Sequence, residues 1–470
     1  MLTAEQADAF DHVLTEAGKA FAGRVVWNVN STANGGGVAE MLHSLISYAR
    51  GAQVDARWVV IEGNPDFFRV TKRIHNRLHG AIGDGGDLGD AEHEIYDAVA
   101  RSNAAELTEL IAPGDLVLLH DPQTAGLAQP LVDAGAYVVW RCHVGIDTPD
   151  DLTRSAWEFL RPYVAPADAY VFSREAFEWE GLDRERMALI PPSIDAFSPK
   201  NQQLDAATVD AILHVAGLRP TDGQASAIFH RQDGTPARVN RAATRWETGV
   251  IPAEVPVVVQ VSRWDRLKDP AGVIAGFARI ATPAHLLLAG PDVSAVADDP
   301  EGLQVLDECV EYWRALPLAV QERVHLAALP MDDSEENAAI VNAVQRRATI
   351  VVQKSLAEGF GLTVAEGMWK ARPVVASRIG GIQDQIVDGE SGLLVDPRDL
   401  DAYAAALTSL LEDPERAEAI GQAAQARVRD AFLGSRHLGQ YLDLLTDVIR
   451  RRPAVPNRGT HGREEPAAAV

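Results

Sequence analysis

Cysteine is nearly absent: Cys142 and Cys309 are the only two in 470 residues, too few for a disulfide framework or an unaided structural zinc site. No run of about 18 apolar residues occurs, so no segment reads as a membrane-spanning helix. The N-terminal "MLTAEQADAFDHVLTEAGKAF" has the acidic amphipathic pattern of a helix and lacks a signal-peptide core. Basic residues are few. With 43 Lys and Arg against 67 Asp and Glu the formal charge is −24, which argues against a general nucleic-acid partner, because phosphate contacts need Lys and Arg spread over a face. Any anion must be held by a local basic pocket. Two phosphate-binding fingerprints are also missing. In "NSTANGGGVAEML" (30–42), Glu40 occupies the place of the third glycine of G-x-G-x-x-G, and no Gly-Lys-Ser/Thr ending makes a P-loop. Nicotinamide dehydrogenases and P-loop kinases thereby lose their main support, and a soluble cytoplasmic protein is expected.

What is present is a repeated α/β pattern. The β-branched runs "RVVWNV" (24–29), "RWVVI" (57–61), "LVLLH" (116–120), "YVVW" (137–140) and "AYVF" (169–172) alternate with longer helical stretches. A second set follows: "VPVVVQV" (255–261), "HLLLAG" (285–290), "VHLAAL" (324–329), "TIVVQ" (349–353), "PVVAS" (373–377) and "GLLV" (392–395). Continuous apolar runs of this length predict parallel strands covered on both faces. A chain of this length has room for two such domains. The polar, Pro-containing "PPSIDAFSPKNQQ" (191–203) reads as their linker, 204–250 as an insertion without an assigned role, and 451–470 as a disordered tail.

In open parallel sheets ligands lie beyond the carboxyl ends of the strands, and four stretches there carry chemistry. Gly35, Gly36 and Gly37 open a helix with bare amides. His143, in "WRCHVGID" (140–147), ends a strand where it could bond a hydroxyl. Arg263 and Lys268, in "VSRWDRLKDP" (261–270), are close enough to share a diphosphate, the one through a planar fork and the other as a point charge. Finally, "SLAEGFGLTVAE" (355–366) puts Glu358 in a glycine turn and Glu366 one turn into a helix starting near Leu362 or Thr363. The amides beside Gly359, Phe360 and Gly361 can hold phosphate oxygens, and the carboxylates can accept from vicinal hydroxyls. Together these describe a nucleotide sugar.

The set "GGGVAEML", "SRWDRLKD" and "EGFGLTVAE" resembles the retaining glycosyltransferases of family 4, whose GT-B fold has two Rossmann-like domains facing across a cleft, and Glu358 and Glu366 match that family's E-x7-E pattern. The resemblance spans about residues 20–450. More narrowly, "VWNVNSTANGGGVAEML", "FFRVTKRIHNRLHG" (67–80) and "WRCHVGID" are similar to the trehalose glycosyltransferring synthases. The resemblance implies an acceptor domain over 1–195 joined by a C-terminal helix at 436–452, a donor domain over 196–435, and a tail from 453. It also implies that Arg263 and Lys268 hold the donor diphosphate, Glu358 the glucose hydroxyls, Glu366 the ribose, and His143 the sugar near the reacting carbon. Gly36, Gly37, Gly359, Phe360, Gly361, Leu362 and Thr363 would line the donor site, and Asn30, Lys72, His75, Asn76 and Asp147 the acceptor pocket. The expected reaction joins NDP-glucose (UDP- or ADP-glucose) to free glucose, giving α,α-trehalose. No cofactor is required, and Mg2+ would stimulate without a protein-bound site. Three other readings stay open: a trehalose phosphorylase, a family 4 enzyme with another acceptor, and a noncatalytic nucleotide-sugar binder. The base of the nucleotide and a homodimer are also left open.

Overall fold

The computed structural model describes residues 3–32, 37–220, 225–293 and 300–452. They form two compact units, one running to Ser193 and resuming at Gly434, the other spanning Ile194–Leu433.

The first unit is built on a parallel sheet of β1 (Val25–Asn30), β2 (Asp55–Val60), β3 (Leu116–His120), β4 (Tyr137–Cys142), β5 (Ala169–Phe172) and β6 (Met187–Leu189), in the order β2-β1-β3-β4-β5-β6. Alternation along each strand divides the side chains between two cores. Val25, Trp27, Val29, Val117, Leu119, Val138 and Trp140 enter one. Val26, Trp58, Leu116, Leu118, Tyr137 and Val139 enter the other. Helices α1 (Ala4–Ala20) and α2 (Gly37–Gly51) come early in this unit, and α2 buries Leu42 and Ile46 against the second core. Thr3 and Gln6 close a capping box at the start of α1. On the other face α3 (Pro65–Leu78) buries Phe67, Val70, Ile74 and Leu78, the 3.6-residue stripe of an amphipathic helix. The runs chosen from the sequence all become strands, displaced at most by two residues. β6 escaped notice because it is a three-residue edge strand whose side chains are partly exposed.

The second unit contains a hairpin of β7 (Ile228–His230) and β8 (Pro236–Arg238), then β9 (Thr244–Trp246), β10 (Val257–Val261), β11 (His285–Pro291), β12 (Val324–Leu329), β13 (Ile350–Gln353), β14 (Val374–Ser377) and β15 (Leu393–Val395). Its sheet has the order β15-β14-β13-β10-β11-β12-β9. From β10 the chain winds outward through β11 and β12, then crosses back to β13 and winds the other way. The reversal leaves a crevice at the carboxyl ends of β10 and β13, the usual ligand position in such sheets. Helices α4 (Pro270–Phe277), α5 (Ser334–Arg347) and α6 (Leu362–Trp369) follow β10, β12 and β13. The described residues of 204–250 include a helix, the hairpin and β9. β9 pairs antiparallel with β12, Trp246 opposite Leu326. Glu336, 2% exposed, accepts from the amides of Asn240 and Arg241 and pairs with the Arg241 guanidinium, which ties this segment to α5. Helix α7 (Gly434–Arg451) belongs to the first unit, where Tyr441, Leu445 and Val448 join the second core. Among the described residues no helix is long and apolar enough to cross a membrane.

Candidate active site

In the second unit, the loop after β10 and the loop after β13 meet. Lys268 Nζ lies 2.5 Å from Glu358 Oε2, joining two of the sequence-predicted residues across 90 positions. Both are largely shielded, with side-chain exposures of 16% and 12%. A polar chain fixes the carboxylate: Thr363 Oγ1 donates to Gln353 (2.7 Å), Gln353 to Ser355 (2.8 Å), and Ser355 to Glu358 (3.2 Å). Arg263 behaves differently. Its side chain is 62% exposed and turns to Asp265 at 3.2 Å, while the adjacent Trp264 anchors the loop by donating to the Pro291 carbonyl.

The glycine turn is set by sterics. Gly361 has φ +83°, the left-handed region, and heads α6. A Cβ at Gly380 would stand 1.9 Å from the Glu358 carbonyl oxygen, so only glycine lets that loop approach. Phe360 is buried, and its carbonyl accepts from Gln385 at 2.5 Å. The Gly359 carbonyl accepts from Gly381 at 2.9 Å. No side chain caps α6. The amides of Leu362 and Thr363 therefore head a helix whose positive end suits phosphate oxygens. Glu366 is 1% exposed; Gln345 donates to it at 3.3 Å, and Lys200 Nζ stands 3.6 Å away.

Lys354, Asp269 and Gln260 also shape this crevice. Lys354, 1% exposed, forms an ion pair with Asp269. Asp269 is left-handed at φ +47° and caps α4 through Gly272 N. Gln260 ties the two loops together: it donates to the Lys268 carbonyl at 2.9 Å and accepts from Lys354 N at 3.1 Å. Lys354 directly follows a buried strand, and the strand-end rule that selected Lys268 would also have selected it.

In the first unit, His143 follows β4 and is half-buried. Its backbone N–H donates to Asp121 Oδ1 at 2.8 Å, and its ring meets His120 and Arg141. His143 is held well below the ordinary histidine range, first by burial and then by Arg141. Burial and Arg141 push His120 down to about 3. Burial raises Asp121 to about 6, opposed by its bond from the His143 amide. His120 ends β3 and Asp121 directly follows it, so both meet the same strand-end criterion as His143. Of the first glycine run, Gly35 and Gly36 lie outside the described residues, and Gly37 begins α2, exposed. Asn30 is buried and folds its own turn, accepting from Ser31 N and donating to the Thr32 carbonyl. On α3, Lys72 is exposed while His75 and Asn76 are half-buried, with His75 edge-on to His79. Asp147 pairs with Arg174. Among the described residues no group of three His, Cys, Asp or Glu side chains is placed to hold a metal ion.

A family model described as the N-terminal domain of trehalose synthase matches residues 28–178, and one described as glycosyl transferases group 1 matches 246–427. The trehalose synthase of Pyrococcus horikoshii is 35% identical over 93% of this chain and 92% of its own length. The chain belongs to the trehalose synthase family. It is a glycosyltransferase of the GT-B fold. In this member of the trehalose synthase family, the group 1 match contains the whole Lys268–Glu358 crevice, and the segment from 179 to 245 lies in neither match. The trehalose phosphorylase of Pleurotus pulmonarius is 28% identical over 91% of this chain and 58% of its own length. Among solved structures, an α,α-trehalose-phosphate synthase (UDP-forming) from Burkholderia vietnamiensis has the same fold, with a TM-score of 0.64 at 16% identity, covering 91% of this chain and 99% of that one.

Proposed function

We propose that this enzyme transfers a glucosyl group from an NDP-glucose to free glucose, keeping the anomeric configuration and giving α,α-trehalose. The observation that carries the reading is the Lys268–Glu358 pair beside the uncapped start of α6. It supplies a cation and helix amides for a diphosphate, and a carboxylate for the hydroxyls of the attached sugar. The two side chains neutralise each other. The donor would part them, phosphate oxygens taking Lys268 and glucose hydroxyls taking Glu358.

In this reaction the bond from the sugar to the diphosphate breaks through an oxocarbenium-like state. Lys268, Arg263 and the amides of Leu362 and Thr363 stabilise the departing charge. The incoming glucose hydroxyl then attacks the same face and passes its proton to the leaving phosphate. On this reading no protein-bound metal is needed to offset that charge, and Mg2+ acts only as a stimulant. His143 contacts the donor sugar, and Glu366 reads the ribose.

Glu366 is buried beside Lys200 and Gln345. Glu366→Gln keeps the volume and removes the charge. It is expected to raise the donor KM about tenfold, the size of one lost charge-assisted bond, with kcat within about twofold. Steady-state kinetics with varied donor check this, and an unchanged KM removes the ribose role.

The relation to a phosphorylase supports a second reading, in which inorganic phosphate replaces the nucleotide. Incubating trehalose with phosphate, UDP or ADP separates the two. Release of an NDP-glucose is expected, and release of glucose 1-phosphate with phosphate alone would overturn the synthase reading. Tight NDP-glucose binding without turnover across an acceptor panel would instead leave a binding protein.

A further inference from the structure

Arg141, next to last in β4, is wholly buried. Its guanidinium meets four groups: Nε lies 3.3 Å from His143 Nδ1, Nη1 3.2 Å from His437 Nε2 and 2.6 Å from Tyr441 Oη, and Nη2 2.9 Å from the Ile190 carbonyl oxygen. Its plane also faces the Tyr441 ring at 5.7 Å. Four acceptors around one fork leave it little freedom to turn.

A guanidinium has only donors. Each atom it meets must therefore offer a lone pair. His143 Nδ1 carries no proton, so the proton of the neutral ring sits on Nε2. That nitrogen is 3.3 Å from His120 Nδ1, which accepts. His120 in turn holds its proton on Nε2, 3.2 Å from Asn28 Oδ1. On the other side His437 accepts at Nε2, so its Nδ1–H points to Ser193 Oγ at 2.8 Å. A single obligate donor thus sets the tautomers of three histidines.

We propose that Arg141 is a positioning residue that holds His143 as a neutral imidazole protonated at Nε2, so that His143 can act on the donor sugar as a hydrogen-bond donor and not as a base. The proposal rests on the reading of His143 as a donor-sugar contact. Its Nδ1 is occupied by Arg141, and the bond from Nε2 to His120 is at the long end of the range, so a sugar hydroxyl can share that proton. The charged and titratable groups facing the ring act in the same direction. Arg141, His120 and His437 oppose a second proton on His143, while Asp121 is engaged with the His143 backbone amide. His437, on α7, is likewise held neutral by burial, Arg141 and Arg436.

The test is a histidine-selective 15N spectrum of the full chain, with the His143 signals identified by their loss in His143→Gln. The expected wild-type result is a protonated Nε2, an unprotonated Nδ1 and no titration between about pH 5 and 8. A proton on Nδ1, or titration within that window, overturns the proposal. In Arg141→Met the His143 ring is expected to populate both tautomers and to titrate in the window. The variant's kcat should fall about 10- to 100-fold, the effect of misplacing one contact to the reacting sugar, with donor KM within about threefold. Loss of kcat without a change in the spectrum would also overturn it. Should Arg141→Met fail to fold, the wild-type spectrum still decides. Because that spectrum needs no turnover, a chain with this tautomer that makes no trehalose refutes the proposed reaction, whereas trehalose synthesis with the other tautomer refutes only the role of Arg141.

Discussion

Lys268→Ala is expected to lower kcat/KM for the NDP-glucose donor by tens- to hundreds-fold, about 2–4 kcal/mol of transition-state stabilisation. Two effects combine. The departing diphosphate loses a shielded ammonium, and Glu358, freed from a partner at 2.5 Å, adds a like charge to the same crevice. Arg263→Ala should fall at the lower end of that range, because its side chain is 62% exposed and already shared with Asp265. Steady-state kinetics of both variants check this, and near-normal turnover in Lys268→Ala would remove the diphosphate assignment. A double-mutant cycle of Lys268→Ala with Glu358→Gln separates the two effects, since the second change relieves the repulsion and leaves the lost ammonium.

Lys354→Met is expected to be the most destabilising single change in the second unit. Lys354 and Asp269 form an ion pair with side-chain exposures of 1% and 19%, and removing one partner of a buried pair costs about 3–5 kcal/mol because the other charge is left without compensation. For a unit of this size that lowers the melting temperature by about 6–20 °C. Adding Asp269→Asn should restore most of the loss. Thermal unfolding of the single and double variants measures both, and a single variant that melts with the wild type would show that Asp269 needs no partner. Donor turnover should fall as well, because Asp269 directly follows Lys268 and holds its turn in the left-handed region.

Much of this was legible because it depends on short-range pattern. A strand buried on both faces must be apolar throughout, so "LVLLH" and "VHLAAL" announced β3 and β12 residue for residue. β9 was illegible: "TRW" at 244–246 is polar and finds its place only as an antiparallel partner of β12 at the sheet edge. The α3 residues show the same limit. The helix could be read from its apolar stripe, but the roles of Lys72, His75 and Asn76 could not, because a helix face says nothing of what lies across from it.

The site divides along the same line. Glu358, Lys268 and His143 stood out because each follows a strand, and Glu366 because it lies one turn into the helix after β13; the chain itself determines which groups come to a carboxyl end. The sequence by itself thus determined the α/β alternation and the shortlist of polar groups at strand ends. Only the tertiary structure decided which of them meet: Lys268 with Glu358, Lys354 with Asp269, and Arg141 with His143 and a histidine nearly 300 positions away. The reason is physical. Strand and helix formation depend on neighbours within a few positions, whereas strand order, which sets what faces what, depends on how the chain winds through each unit's sheet.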